Sequence, residues 1–221
     1  MAFRHTEKKY QKRGHVINTA PATEPVTAAE FKDHVSDSSL TDAQADAWVA
    51  SARAMIEENT GIAMITQVWD MALDNWPTGR SDEWWSGVRL GALSEIAGPS
   101  RDVCLPRYPL ASVDSVKTYD EASNETTLAV STYFDVDTFR KPGRLALKSG
   151  QSWPVALRPT NAIMITYTAG YVGAANVPEP LKLAVKIVGA YLYSHRGDDC
   201  DPGDAMAGAM SILNQYISRV M

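Results

Sequence analysis

The stretch LPRYPLASVDSVKTYD, residues 105–120, decides the reading of the fold. A proline fixes φ and holds its predecessor extended, so Pro106 and Pro109, fencing Arg107 and Tyr108, make a rigid, non-helical lead-in. An alternating strand follows. It sets Leu110, Ser112, Asp114, Val116 and Thr118 on one face and Ala111, Val113, Ser115, Lys117 and Tyr119 on the other.

Segments on both sides offer this strand its partners. From Val103 to Tyr171 the signals are all strand and turn: VCLP, the strand itself, the polar turn EASNET, TYFDVDTF, the turn KPGR, RLALK and AIMITYTAGY. That predicts five or six short strands in a small antiparallel sheet. Upstream, AMITQVWDMALDNWP places Ile65, Gln67, Trp69, Met71 and Leu73 on one side of a further strand. Between the two lies an irregular stretch, residues 75–102, with Trp76, Trp84 and Trp85 among Gly, Ser, Pro and charges. A loop of this length is usually functional or mobile.

Helix signals flank the sheet. Thr27 and Glu30 have capping-box spacing, with Val26 and Phe31 placed as a hydrophobic staple. Thr41 and Gln44 repeat the box, and Ala45, Trp48, Val49, Ala52, Met55 and Ile56 then share one face of a helix that Gly61 ends. Beyond the sheet, Pro178 and Pro180 open a helix bearing Leu181, Ala184, Val185, Ile187, Val188, Tyr191 and Leu192 and stopping near Gly197. A last helix carries Met206, Met210, Leu213, Ile217 and Val220 as a narrow seam to the chain end.

The expected class is therefore α+β: a four-helix body with a small antiparallel sheet inserted between the second and third helices, plus an extended N-terminal arm. The expected division is 1–24 for the arm, 25–62 and 177–221 for the helical body, and 63–176 for the β-rich region with its Trp-rich loop 75–102.

Composition narrows the function. With 221 residues and 45% hydrophobic content the chain can bury a real core. Cys104 and Cys200 stand far apart and suggest no disulfide framework. No apolar run approaches the roughly 18 residues of a membrane span, and the N-terminus does not resemble a signal, which points to the cytoplasm. The net charge of −5 is uneven, since residues 1–15 hold Arg4, Lys8, Lys9, Lys12 and Arg13 against Glu7, a net of +4 that leaves −9 for the remainder. An acidic body should not hold nucleic acid through its phosphates, so any polyanion contact would fall to the arm, whose other reading is a solvated tail.

Catalytic and metal motifs do not assemble. GQSWP at 150–154 lacks the second glycine of a nucleophile elbow, there is no phosphate-binding glycine loop, and His5, His15, His34 and His195 are scattered. Asp198, Asp199, Asp201 and Asp204 lack the distal glutamate of a calcium loop, and Asp204 suits a helix N-cap. Trp76, Trp84 and Trp85 read either as a carbohydrate or protein contact surface or as a lid filling the sheet's core.

In order along the chain, VTAAEFKDHV, ADAWVASARAMIEENTGIAMITQVWDMALDNWP, LPRYPLASVDSV, ITYTAGY and VPEPLKLAVKIVGAYLYSHR span residues 26–196. This succession resembles the head-tail adaptor (connector) proteins of tailed bacteriophages. The Trp-rich segment from Asn75 to Arg101 is longer than the family's usual link, and the basic arm is additional. The resemblance implies a non-enzymatic structural protein without cofactor: a ring, typically of twelve subunits, docked on the portal, extending the DNA channel and meeting a downstream neck or tail protein. It implies residence in the virion neck and in host cytoplasm during assembly.

On that reading Pro106, Arg107, Tyr108 and Pro109 hold a strand edge against a neighbouring subunit. Arg4, Lys8, Lys9, Tyr10, Lys12 and Arg13 tether to the portal or a neighbour. Met210, Leu213, Ile217 and Val220 offer a partner-contact helix, unless they pack on the third helix, and the three tryptophans a contact loop. The alternatives are a neck stopper or tail-completion protein, a carbohydrate- or receptor-binding module, and, least supported, a carboxylate-based hydrolase.

Overall fold

A computed structural model describes residues 13–76, 102–154, 156–197 and 202–217. The chain begins with strand β1 (Arg13–Thr19), then helices α1 (Ala28–Val35) and α2 (Asp42–Thr60), then strand β2 (Gln67–Leu73). Next come β3 (Asp102–Cys104), β4 (Leu110–Tyr119), β5 (Glu125–Leu128), the single helical turn α3 (Val130–Tyr133), β6 (Phe134–Asp137), β7 (Arg144–Leu147) and β8 (Ile163–Ala169). A 3-10 turn precedes α4 (Glu179–Ser194) and α5 (Pro202–Leu213). The class is α+β, as the sequence predicts.

Both predicted capping boxes form. Thr27 and Glu30 at α1, and Thr41 and Gln44 at α2, exchange side-chain and backbone hydrogen bonds in both directions. Each box satisfies two amide donors that a helix start leaves without partners. Gly61 closes α2 at φ 77°, the left-handed region that a side chain would resist. α5 ends at Leu213, and residues 214–217 continue as a turn in which the Tyr216 and Ile217 amides both donate to the Leu213 carbonyl, at 2.9 and 3.1 Å.

The strands form two antiparallel sheets, not one. Five strands run in the order β1-β2-β8-β4-β5, and three in the order β3-β7-β6. Two corrections to the sequence reading follow. First, residues 13–19 of the expected arm are an edge strand, paired with β2 from Arg13 opposite Leu73 to Ile17 opposite Trp69. Second, β4 is an edge only in its first half among the described residues: β8 flanks it from Leu110 to Thr118, whereas β5 pairs only with Val116–Tyr119. Its alternation holds at Leu110, Val116 and Thr118, which are buried, and fails between them. Register shifts at Leu110/Ser112 and Val113/Ser115 twist the strand there and turn Ser112 and Asp114 to solvent.

Two hydrophobic cores result. One gathers Phe31, Val49, Ile56, Leu181, Val185, Val188 and Leu213 between the helices. The other gathers Met71, Leu73, Leu105, Leu145, Ile163, Ile165 and Tyr167 between the sheets. Each large apolar side chain fully buried contributes about 1.5–3 kcal/mol of transfer free energy. The cores meet along residues 61–65, 105–109 and 169–171.

Candidate assembly surfaces

The lead-in 105–109 is the seam between the cores. Tyr108 is buried in the helical core, and its hydroxyl donates to the Thr60 carbonyl at 2.8 Å. Its backbone pairs with the chain just after α2, accepting from Ala63 at 2.7 Å and donating to Gly61 at 3.2 Å. Arg107 closes the C-terminus of α2: Nη1 donates to the Glu57 carbonyl at 2.5 Å and Nη2 to the Glu58 carboxylate at 2.6 Å. A cation there meets the carbonyl end of the helix dipole. The same guanidinium lies 4.4 Å above the Trp69 ring. The inward turn of Arg107 and Tyr108 therefore joins helix to sheet within one chain, which corrects their reading as a subunit-facing edge. Gly170 fixes the far side of the seam, since a Cβ there would stand 2.3 Å from the Ile65 carbonyl oxygen.

Strand β1 docks onto this seam through an aromatic contact. The His15 ring stacks on Trp69 at 4.4 Å, and Nε2 lies 2.6 Å from the Tyr167 hydroxyl. Burial, with the Arg107 cation adding to it against Glu58, lowers the His15 pKa to about 4. Burial also pushes the Tyr167 hydroxyl up. Between β1 and α1, Glu24 accepts from Arg53 at 2.7 Å, and Arg53 also donates to Glu57 at 2.7 Å. Glu57 is 5% exposed and accepts further from the Met64 amide and the Gln67 side chain. Even so, burial raises its pKa.

Other candidate residues separate into inward and outward groups. Trp76 is 4% exposed and stacks on Trp153 at 4.2 Å beside Phe134, so it fills the sheet core as a lid would and is no contact surface. Trp84 and Trp85 lie outside the described residues, as do Arg4, Lys8, Lys9, Tyr10, Lys12, Val220, Cys200, Asp198, Asp199 and Asp201. Arg13 is described by its backbone, which opens β1. Leu213 is fully buried and Met210 and Ile217 pack against the helical core, so these three residues of the terminal seam are engaged within the chain. Asp204 is exposed in the first turn of α5.

The described histidines do not converge: His15 belongs to the sheet, while His195 stacks on Tyr191 at 4.1 Å at the end of α4. Among the described residues no cluster of His, Cys, Asp and Glu is arranged to hold a metal ion. No described helix is long and apolar enough to cross a membrane.

Two surfaces stand out that the sequence reading missed. Phe139, in the turn joining β6 to β7, is 97% exposed. A groove of about 520 Å³ runs between the α1–α2 turn and the end of α4, lined by Asp37, Leu40, Trp48, Tyr193 and Arg196. Burial on one side and exposure on the other follow from partners distant in sequence, which a periodic pattern does not encode.

No protein-family model matches the sequence, and no curated protein matches it. Solved structures do. A chain in the neck of an empty gene transfer agent (GTA) particle, computed with C6 symmetry, superposes with a TM-score of 0.71 at 23% identity, covering 94% of this chain and 97% of that one. A chain in the virion of a native GTA particle gives 0.66 at 23% identity over 94% and 97%. A chain in the neck of the native particle, computed with C12 symmetry, gives 0.64 at 24% identity over 93% and 97%. Along nearly its whole length, then, this chain has the fold of chains in phage-like necks, as its resemblance to head-tail adaptors implies.

Proposed function

We propose that the chain is a structural head-tail adaptor of a tailed phage or phage-like particle. It forms a ring on the portal, extends the DNA channel and gives the next neck or tail protein its platform. The observation that carries this reading is the near-complete match to neck chains solved under cyclic symmetry. A twelve-fold ring contains six-fold symmetry, so both neck descriptions are compatible with twelve subunits. Work by shape, with cores that hold two layers at a fixed angle, requires no reacting groups.

Purified chain imaged in negative stain with and without its portal tests the proposal. Rings seated on portals are expected, and portals that stay bare would overturn it.

The charge distribution suits a channel. A ring of acidic bodies repels DNA phosphates, so a genome slides past without sticking. Because β1 is part of the sheet, the truncation that isolates the body must begin at Arg13, sparing residues 13–19. That truncated chain should give no gel shift with duplex DNA at physiological salt; retained binding would contradict the channel reading.

A further inference from the structure

A closed ring of more than two subunits needs two different, complementary patches on each copy, one meeting the other around the circle. The outward features of this chain supply such a pair. One is convex. The turn between β6 and β7 presents Phe139 almost fully to solvent, and the turn is built, not slack: the Asp137 carboxylate accepts from the amides of Phe139 at 3.1 Å and Arg140 at 3.3 Å. Arg144 holds that carboxylate in turn through Nε at 3.0 Å. An aromatic ring held out on an ordered turn, with the backbone entropy of that turn largely spent before contact, is the form of a binding anchor. Residues 138–144 contain Arg140, Lys141 and Arg144 and no acid.

The other is concave. Leu40 is buried in the groove, and Trp48 and Tyr193 meet edge to face in its wall at 6.2 Å between ring centres. Asp37 accepts from the Ser39 amide at 2.9 Å, from the Ser39 hydroxyl at 2.6 Å and from the Tyr193 hydroxyl. Those bonds hold its carboxyl down at about 2, so Asp37 stays ionised. Of the nearby acids Asp33, Asp42 and Asp46, Asp42 is paired with Lys32 at 2.5 Å, and Asp37 is the one that lines the groove. Arg196 covers a face of Tyr193 at 4.2 Å and caps one end of the groove.

We infer that the groove takes the Phe139 turn of a second copy of this chain, with the Phe139 ring against Trp48 and Tyr193 and Arg140 beside Asp37 of the α1–α2 turn. Tip and groove are different patches, so the contact is head-to-tail and propagates around a ring. This rests on the ring proposed above, and it names the surfaces that close it.

The test uses the full-length chain in two measurements. Sedimentation over a concentration series compares wild type with Phe139→Ser. The variant should associate at least about 30-fold more weakly, the loss that removing an aromatic anchor produces, while its thermal midpoint, read at concentrations where both proteins are monomeric, stays unchanged because Phe139 is almost fully exposed. A mixture of Thr138→Cys and Ala47→Cys chains, treated with a short thiol crosslinker, should give heterodimers above the background of Cys104 and Cys200 in wild type. Equal association of both proteins, a wild type that stays monomeric at every concentration, or association without the 138–47 crosslink would each overturn the contact. Rings of Phe139→Ser that form normally on portals would overturn it too and leave the proposed function standing; bare portals with wild type would overturn that function instead.

Discussion

The helical core and the sheet core bury similar residues yet are assembled by different rules. In the helical core the packing follows a local period: α2 aligns Ala45, Val49, Ala52 and Ile56, and α4 aligns Leu181, Ala184, Val185 and Val188, every one buried. The sheet core is built from afar, with β8 paired to β2 from Ile163 opposite Leu73 and to β4 from Thr118 opposite Ile163. The difference teaches that one half can be read from spacing, while the other depends on which distant strands meet. Between them lies a seam of polar and aromatic contacts centred on Arg107, and it decides whether the halves act as one body.

The strongest way to break this comparison is to hollow each core in turn. Leu181→Ala and Ile165→Ala both remove fully buried side chains, and each should cost about 2–5 kcal/mol. If the seam couples the halves, either variant shifts a single denaturant transition with unchanged slope. Two separated transitions would show that the cores melt independently.

The seam itself is tested by an unequal pair. Arg107→Met strips the cation from Trp69 and removes a charged hydrogen bond from the Glu57 carbonyl, which keeps the Gly61 amide as its donor, a loss of about 1–3 kcal/mol. Glu58 is the exposed member of its ion pair, so Glu58→Ala should cost less than about 1 kcal/mol. Equal effects on chemical denaturation midpoints would mean that the pair, and not the helix-closing contact, holds the seam.

The smallest effect concerns β1. The His15 pKa in the folded chain, about 4, lies below its ordinary value of 6.5, so the folded state binds the proton less readily than the unfolded one. The docking contribution is then complete above the ordinary value and is lost as pH falls toward 4. The groups that set this are Trp69, Tyr167, Arg107 and Glu58 around the ring. Amide exchange in residues 13–19 should quicken across that window relative to β8, and His15→Phe should flatten the pH dependence. Uniform exchange with pH would detach His15 from strand docking.

Much of the fold was legible because its signals are local. The capping boxes at Thr27 and Thr41, the αL stop at Gly61 and the buried face of β2 all appear where spacing puts them. β1 was hidden because its docking rests on a histidine stacked on Trp69, while Val16 and Ile17 remain exposed, so no hydrophobic period announces it. The rigidity of the 105–109 lead-in was readable from its prolines. Its direction was not, because the carbonyls and the tryptophan face that receive Arg107 lie in α2 and β2. The exposed Phe139 could have been found by noticing an aromatic inside a cationic turn, TFRKPGR, with no alternating partner on either side.

The central claim is that this chain acts by closing around an axis on another protein ring. Mass photometry of the isolated portal, alone and then mixed with the full chain, tests it most directly. The account predicts one discrete species heavier by twelve copies, matching the twelve-fold neck of its structural relatives. A portal whose mass does not change, or gains a single copy, would contradict it.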